Sequence, residues 1–116
     1  MSDDDYLYLT TTGRRSKRKY RIEIWYARDD DHLYLLAGGG RESDWVRNLE
    51  AHPRVTLCLG KTGADLGATG RILDAGDPDE ERARRLVFDK YQDRYHGDLE
   101  RWRSSALPVV LVLDEP

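Results

Sequence analysis

Cysteine is nearly absent from this chain: Cys58 is the single one in 116 residues. That excludes an internal disulfide framework and any multi-cysteine metal site. Histidine is scarce as well. His32, His52 and His96 are scattered, and no two stand three or four apart as a paired helical zinc site requires. No metal site is therefore expected. No apolar run approaches the roughly 20 residues needed to cross a bilayer as a helix. The opening residues 1–5 are acidic with no apolar stretch behind them, so no secretory leader and no membrane insertion are expected. Internal repeats, low-complexity tracts and linkers are missing too. The expectation is one cytoplasmic domain over residues 1–116, a size that buries a real core without disulfides or metal.

What is present is polar and aromatic. Charged residues make up 35% and hydrophobic ones 39% of the chain. The seven Tyr, three Trp and one Phe are too many for a disordered segment and imply a core or a site for a flat ligand. The net charge of −3 argues against a general nucleic-acid binder. The charge is uneven, however. Arg14, Arg15, Lys17, Arg18, Lys19 and Arg21 place six cations in eight residues. Such a knot on an acidic protein is either the seat of an anionic ligand or a solvated hairpin loop.

Hydrophobic periodicity orders the chain. Residues 6–12 read as a strand rich in Tyr, Leu and Thr, broken at Gly13. Residues 20–28 read as one second strand, with Tyr20, Ile22, Ile24 and Tyr26 alternating against Arg21, Glu23 and Trp25. Residues 33–37 form a third, mostly apolar strand. The run Gly38-Gly39-Gly40 then forces irregular backbone. A short helix is expected over 44–51, with Trp45 and Leu49 on one face and Pro53 ending it. Strands follow over 55–59 and 64–73, the latter bent at Gly67 and Gly70. Asp77, Pro78 and Glu80 open the main helix as a capping box, and it runs to about Tyr95. A short helix over 99–104 and an apolar strand over 107–113 complete the order. The class is α+β: a small six-stranded, mainly antiparallel split β-barrel with two to three helices.

The residues alone name no catalytic constellation. A buried Cys58 behaves as a small hydrophobe. The acids cluster at turns and helix starts, where capping accounts for them. The triple glycine lies between a strand and a helix, where it either lets a ligand approach the backbone or simply turns the chain. It lacks the GxGxxG pattern and the parallel crossover of a dinucleotide fold.

Taken together, several blocks resemble the deazaflavin-dependent nitroreductase family. They are Leu9-Thr10-Thr11-Thr12-Gly13-Arg14-Arg15-Ser16, the glycine step from Ala37 to Arg41, Asp44-Trp45-Val46-Arg47-Asn48-Leu49, Ala51-His52-Pro53-Arg54-Val55, and the ending Pro108 to Leu113 with Glu115-Pro116. The resemblance runs from Tyr6 to Pro116. It implies a split barrel related to FMN-binding proteins, the coenzyme F420 bound without a covalent link, and hydride transfer between the deazaflavin and a small organic acceptor. It further implies that Arg14, Arg15 and Ser16, with Lys17 and Arg18 beside them, meet the acidic tail of the coenzyme. Tyr20, Arg21, Ile22, Glu23, Ile24 and Trp25 would line the cofactor. Leu36, Ala37, Gly38 and Gly39 would lie near the ring, and Asp44, Trp45, Val46, Arg47 and Asn48 would present the helix start. Tyr91 and Tyr95 would stand at the pocket mouth, a hydroxyl there protonating the reduced substrate. The sequence departs from the family pattern at Lys17, Glu23, Gly38 and Gly39, positions that bear on the acceptor more than on the fold.

Such chemistry belongs to the cofactor, which accounts for the missing catalytic side chains. Two other functions fit the same expectations: an FMN enzyme of the same fold, and a non-enzymatic carrier of F420, heme or a lipid. FMN, with one phosphate, needs fewer cations than Arg14 to Arg21 offer. The partner is a small molecule, and the assembly a monomer or a homodimer.

Overall fold

In the computed structural model, residues 6–60, 63–92 and 99–114 are described. Seven strands form one sheet: β1 (Leu7–Thr12), β2 (Lys19–Ile24), β3 (Ala27–Asp29), β4 (His32–Ala37), β5 (Arg54–Leu59), β6 (Leu66–Ile72) and β7 (Leu107–Leu113). Three helices accompany them: α1 (Asp44–Ala51), α2 (Glu80–Tyr91) and α3 (Leu99–Ser105). A turn of 3₁₀ helix, Gly40–Glu42, precedes α1.

The sheet order is β2-β1-β5-β6-β7-β4-β3, and every neighbouring pair is antiparallel. The two edge strands, β2 and β3, are consecutive in the chain and separated only by Trp25 and Tyr26. Three peptide steps of about 3.8 Å each cannot bridge a flat sheet of seven strands. The sheet must therefore curl until its two edges meet across these residues, which makes a split barrel. The strand count corrects the sequence-based one. The expected single strand over 20–28 is cut in two, because its first part pairs with β1 and its last part with β4.

Alternation sorts the side chains into two cores. Leu7, Leu9, Leu33, Leu35, Val55, Leu57, Ala68, Val109 and Leu111 fill the barrel interior. Tyr34, Leu36 and Val110 point the other way and meet Ala83, Val87 and Tyr91 of α2 and Leu99 of α3. Strand β7 and, after His32, strand β4 are almost wholly apolar because both of their faces are covered. Helix α1 has the expected bounds. Its Leu49 packs into the barrel core, and Val46 is fully buried.

The regular part of α2 starts at Glu80 rather than Asp77. The capping groups are present but shifted. Asp77 Oδ1 accepts from the Asp79 N–H at 2.9 Å, and Glu80 Oε1 reaches the Gly76 N–H at 3.3 Å instead of the Asp77 N–H. The Asp79 N–H and then Arg71, whose Nη1 lies 2.7 Å from Asp77 Oδ2, hold the Asp77 carboxyl below its usual pKa. The expected continuation of this helix to Tyr95 lies outside the described residues.

Gly70 marks where α1 meets the barrel. A Cβ there would stand 2.5 Å from Leu49 Cδ1 and 3.0 Å from Leu111 Cδ2, both in the barrel core. Gly70→Ala is expected to destabilise the protein by about 1–3 kcal/mol through overpacking, read as a lower urea midpoint at unchanged m-value.

Candidate active site

Two adjoining cavities follow consecutive residues of β2. The first, of about 530 Å³, is lined by Gly13, Arg14, Arg15, Ser16, Tyr20, Arg21, Ile22, Asp44, Trp45 and Asn48. The second, of about 500 Å³, is lined by Glu23, Ile24, Trp25, Leu36, Gly38, Leu99 and Trp102. The first brings arginines together with Tyr20 and Trp45, and the second brings two indoles together with Glu23.

The first cavity is built by the loop between β1 and β2. The Gly13 N–H donates to the Arg18 carbonyl at 2.7 Å, and the Lys17 N–H donates back to the Gly13 carbonyl at 3.0 Å. Lys17 takes a positive φ of 61° at the loop tip, a conformation disfavoured for a residue with a side chain. Ser16 Oγ accepts from the Arg18 N–H and lies 3.2 Å from the Tyr20 hydroxyl. Asn48, although 4% exposed, joins this loop to α1. Its Oδ1 accepts from the Arg14 N–H at 3.1 Å and from Arg14 Nη1 at 2.9 Å. Arg14 Nη2 also lies 3.5 Å from Asp44 Oδ1. Arg14 is therefore half spent on holding the loop. Arg21 lies over the Tyr8 ring, 4.5 Å from its centroid. Among the described residues no carboxylate pairs with Arg15, Lys17 or Arg18. The Asn48 amide Nδ2 has no partner there either. Thr11 Oγ1, two residues before Gly13 on the inward face of β1, is buried without a partner. Unneutralised cations and idle polar groups suit an anionic, oxygen-rich ligand.

The second cavity rests on an aromatic stack. Trp25 lies flat on Tyr91, with centroids 4.2 Å apart and planes at 9°. Trp102 meets Trp25 edge-on at 5.7 Å and 89°. Tyr91 is 2% exposed. Its hydroxyl accepts from the Tyr26 N–H at 3.1 Å and donates to the Tyr26 carbonyl at 3.1 Å. Lys90 Nζ donates to the same carbonyl at 2.8 Å. Glu23 brings the one carboxylate to this cavity. Desolvation first, and then a hydrogen bond with Glu23, push the Tyr8 hydroxyl up to about 12.

Most residues expected at the site on the strength of the resemblance line these two cavities, but some do not. Lys17 and Arg18 are exposed at the loop tip outside both. Arg47 and Gly39 line neither. Ala37 and Val46 are 1% and 0% exposed, so their side chains belong to the packing. Tyr91 lines neither cavity, and its hydroxyl is bonded to the Tyr26 backbone in both directions. Tyr95 lies outside the described residues. Leu99 and Trp102 were missed as site residues. The one signal was Trp102 itself, an indole that serves either as core or as the wall of a flat-ligand site. Cys58 is buried as expected, with its Sγ 2.7 Å from Asp65 Oδ1. That hydrogen bond, and then burial, push its thiol pKa up. No cluster of metal-ligating side chains occurs among the described residues. None of their helices is long and apolar enough to cross a membrane.

Tyr91→Phe is expected to cost about 1–3 kcal/mol, because it strands the buried Tyr26 N–H and carbonyl. The pH dependence of turnover should keep its shape. Denaturant unfolding and a pH–rate profile check both, and the loss of a titrating limb would return Tyr91 to proton transfer.

Comparison with known proteins identifies the family. The profile of the F420H(2)-dependent quinone reductases matches residues 1–114. An F420H(2)-dependent quinone reductase of Mycobacterium tuberculosis is 31% identical over 109 residues, which cover 91% of this chain and 71% of the relative. Among solved structures, an F420-H2 dependent reductase superposes with a TM-score of 0.69 at 21% identity over 92% of both chains. The heme storage protein HutZ of Vibrio cholerae gives 0.76 at 12% identity, over 97% of this chain and 84% of that one. These two likenesses speak for the fold alone. With its profile match over nearly the whole length, the chain belongs to the F420H(2)-dependent quinone reductase family and is an F420-dependent oxidoreductase.

Proposed function

We propose that the protein reduces a small planar quinone at the expense of reduced F420, with residues 1–116 acting as one cofactor-binding domain. The observation that carries this is the pair of cavities along β2, one cationic and one aromatic. F420 carries a phosphate and an acidic tail at one end and a flat deazaflavin ring at the other. The charged end fits the cavity of Arg14, Arg15 and Asn48. The ring then extends along β2 toward Trp25, and the acceptor takes the space between Trp25, Leu36, Gly38 and Trp102.

Reduced F420, when bound, would supply a hydride, which carries two electrons and one proton, and the second proton of the hydroquinone would come from solvent, balanced by the one that oxidised F420 releases. The chain supplies placement. Arg15 binds the anionic end, Asn48 holds the loop that carries Arg14, and the indoles keep water from the ring face. Both cavities are built from one chain, so this reading needs no second copy to complete the site. A nitro compound enters the same slot by the same logic, but the family match favours the quinone. We place the reaction in the cytoplasm, where a soluble reduced deazaflavin is at hand.

The test is a fluorescence titration with oxidised F420, followed by anaerobic mixing of F420H2 with menadione. Arg14→Ala combined with Arg15→Ala is expected to weaken F420 binding about 10- to 100-fold. The wild-type affinity should fall as salt rises, as screening of partly exposed charges requires. Unchanged affinity in the double variant would remove the coenzyme from this cavity. A protein that retains FMN through purification and ignores F420 would move the function to flavin chemistry.

A further inference from the structure

The indole nitrogen of Trp102 is the polar atom of the second cavity that the account above leaves idle. Its edge-on contact with Trp25 holds the plane of the indole. Among the described residues its Nε1–H has no hydrogen-bond partner. Across from it stands Gly38, whose absent Cβ would lie 3.9 Å from that nitrogen. The N–H therefore borders open space between α3 and the end of β4, inside a cavity lined otherwise by Ile24, Leu36, Leu99 and Trp25. Glu23, which also lines it, accepts but does not donate while ionised.

The geometry points to Trp102 Nε1–H as the donor that grips one carbonyl oxygen of the quinone, with Gly38 leaving the room for that oxygen. The inference rests on the quinone reductase reading and adds to it the residue that orients the acceptor. A planar acceptor stacks against an indole wall through its ring and needs one directional contact to fix its rotation in the plane. The N–H supplies that contact. As the ring is reduced, negative charge builds on the carbonyl oxygen, and a hydrogen bond to it strengthens on the way to the transition state. Trp102 thereby acts on the rate of reduction more than on ground-state affinity.

The experiment compares the wild type with Trp102→Phe and Gly38→Leu under anaerobic steady-state conditions, with F420H2 as donor and menadione as acceptor. Trp102→Phe keeps an aromatic wall and removes the donor. It is expected to lower kcat/KM for menadione about tenfold, mostly in kcat, and to leave F420 affinity within about twofold. Gly38→Leu keeps the donor and fills the space before it, at a position with no positive φ. It is expected to lower kcat/KM by a similar factor, and it decides alone if Trp102→Phe fails to fold. Wild-type kinetics in both variants would overturn the inference while leaving the quinone reductase reading intact. A loss of menadione turnover matched by an equal loss of F420 affinity would also overturn it, because that marks Trp102 as structural. A wild-type protein that binds F420 and does not reduce menadione would strike the quinone reading itself, and the inference with it.

Discussion

The hydroxyl of Tyr91 holds together the place where the barrel opens. The backbone at Trp25 and Tyr26 has left one edge of the sheet and not yet joined the other. Its polar groups are buried and have no ladder to enter, and buried backbone groups must be satisfied. One phenol takes both, accepting from the Tyr26 N–H and donating to its carbonyl, with Lys90 Nζ adding a second donor. The same ring supports Trp25 from below. One side chain thus links the gap between the two sheet edges, helix α2 and the aromatic wall of the second cavity.

The site divides its work by polarity along β2. Toward Tyr20 and Arg21 the strand faces the loop of cations, partly exposed and open to salt. Toward Glu23 and Trp25 it faces indoles, where dispersion and shape hold a ring. A ligand with one anionic end and one flat end matches that gradient. The basic loop itself is held by backbone hydrogen bonds and by the buried Asn48, so its cations are placed by the fold and not by partner carboxylates. Arg14 is the exception, shared between Asn48 and Asp44.

Much of the architecture was legible because it rests on short-range rules. The 44–51 helix and the 107–113 strand appear with the expected bounds, since an apolar stripe ended by proline and an all-apolar β-branched run have few alternatives. The barrel class and most cavity-lining residues followed from alternation and from the motif blocks around Gly13 and Asn48. The break at Trp25 was not legible. Residues 20–24 alternate and 24–27 are apolar throughout, a run that a single strand also tolerates, and only pairing with β1 on one side and β4 on the other divides them. Tyr91 misled for a related reason. Its helix position is visible, but the destination of its hydroxyl depends on Tyr26, 65 residues away in the chain.

The sequence by itself determined the class of fold, the location of positive charge and the family, because composition, periodicity and contiguous motifs are local properties of a chain. Tertiary structure decided which of the six cations reach a cavity and that a seventh strand exists. It also decided that the Tyr91 hydroxyl meets the Tyr26 backbone, and that Trp102 from a late helix faces Gly38 at the end of β4. Each of these depends on contacts between segments far apart in sequence, and such contacts are set by how the sheet curls and where the helices pack.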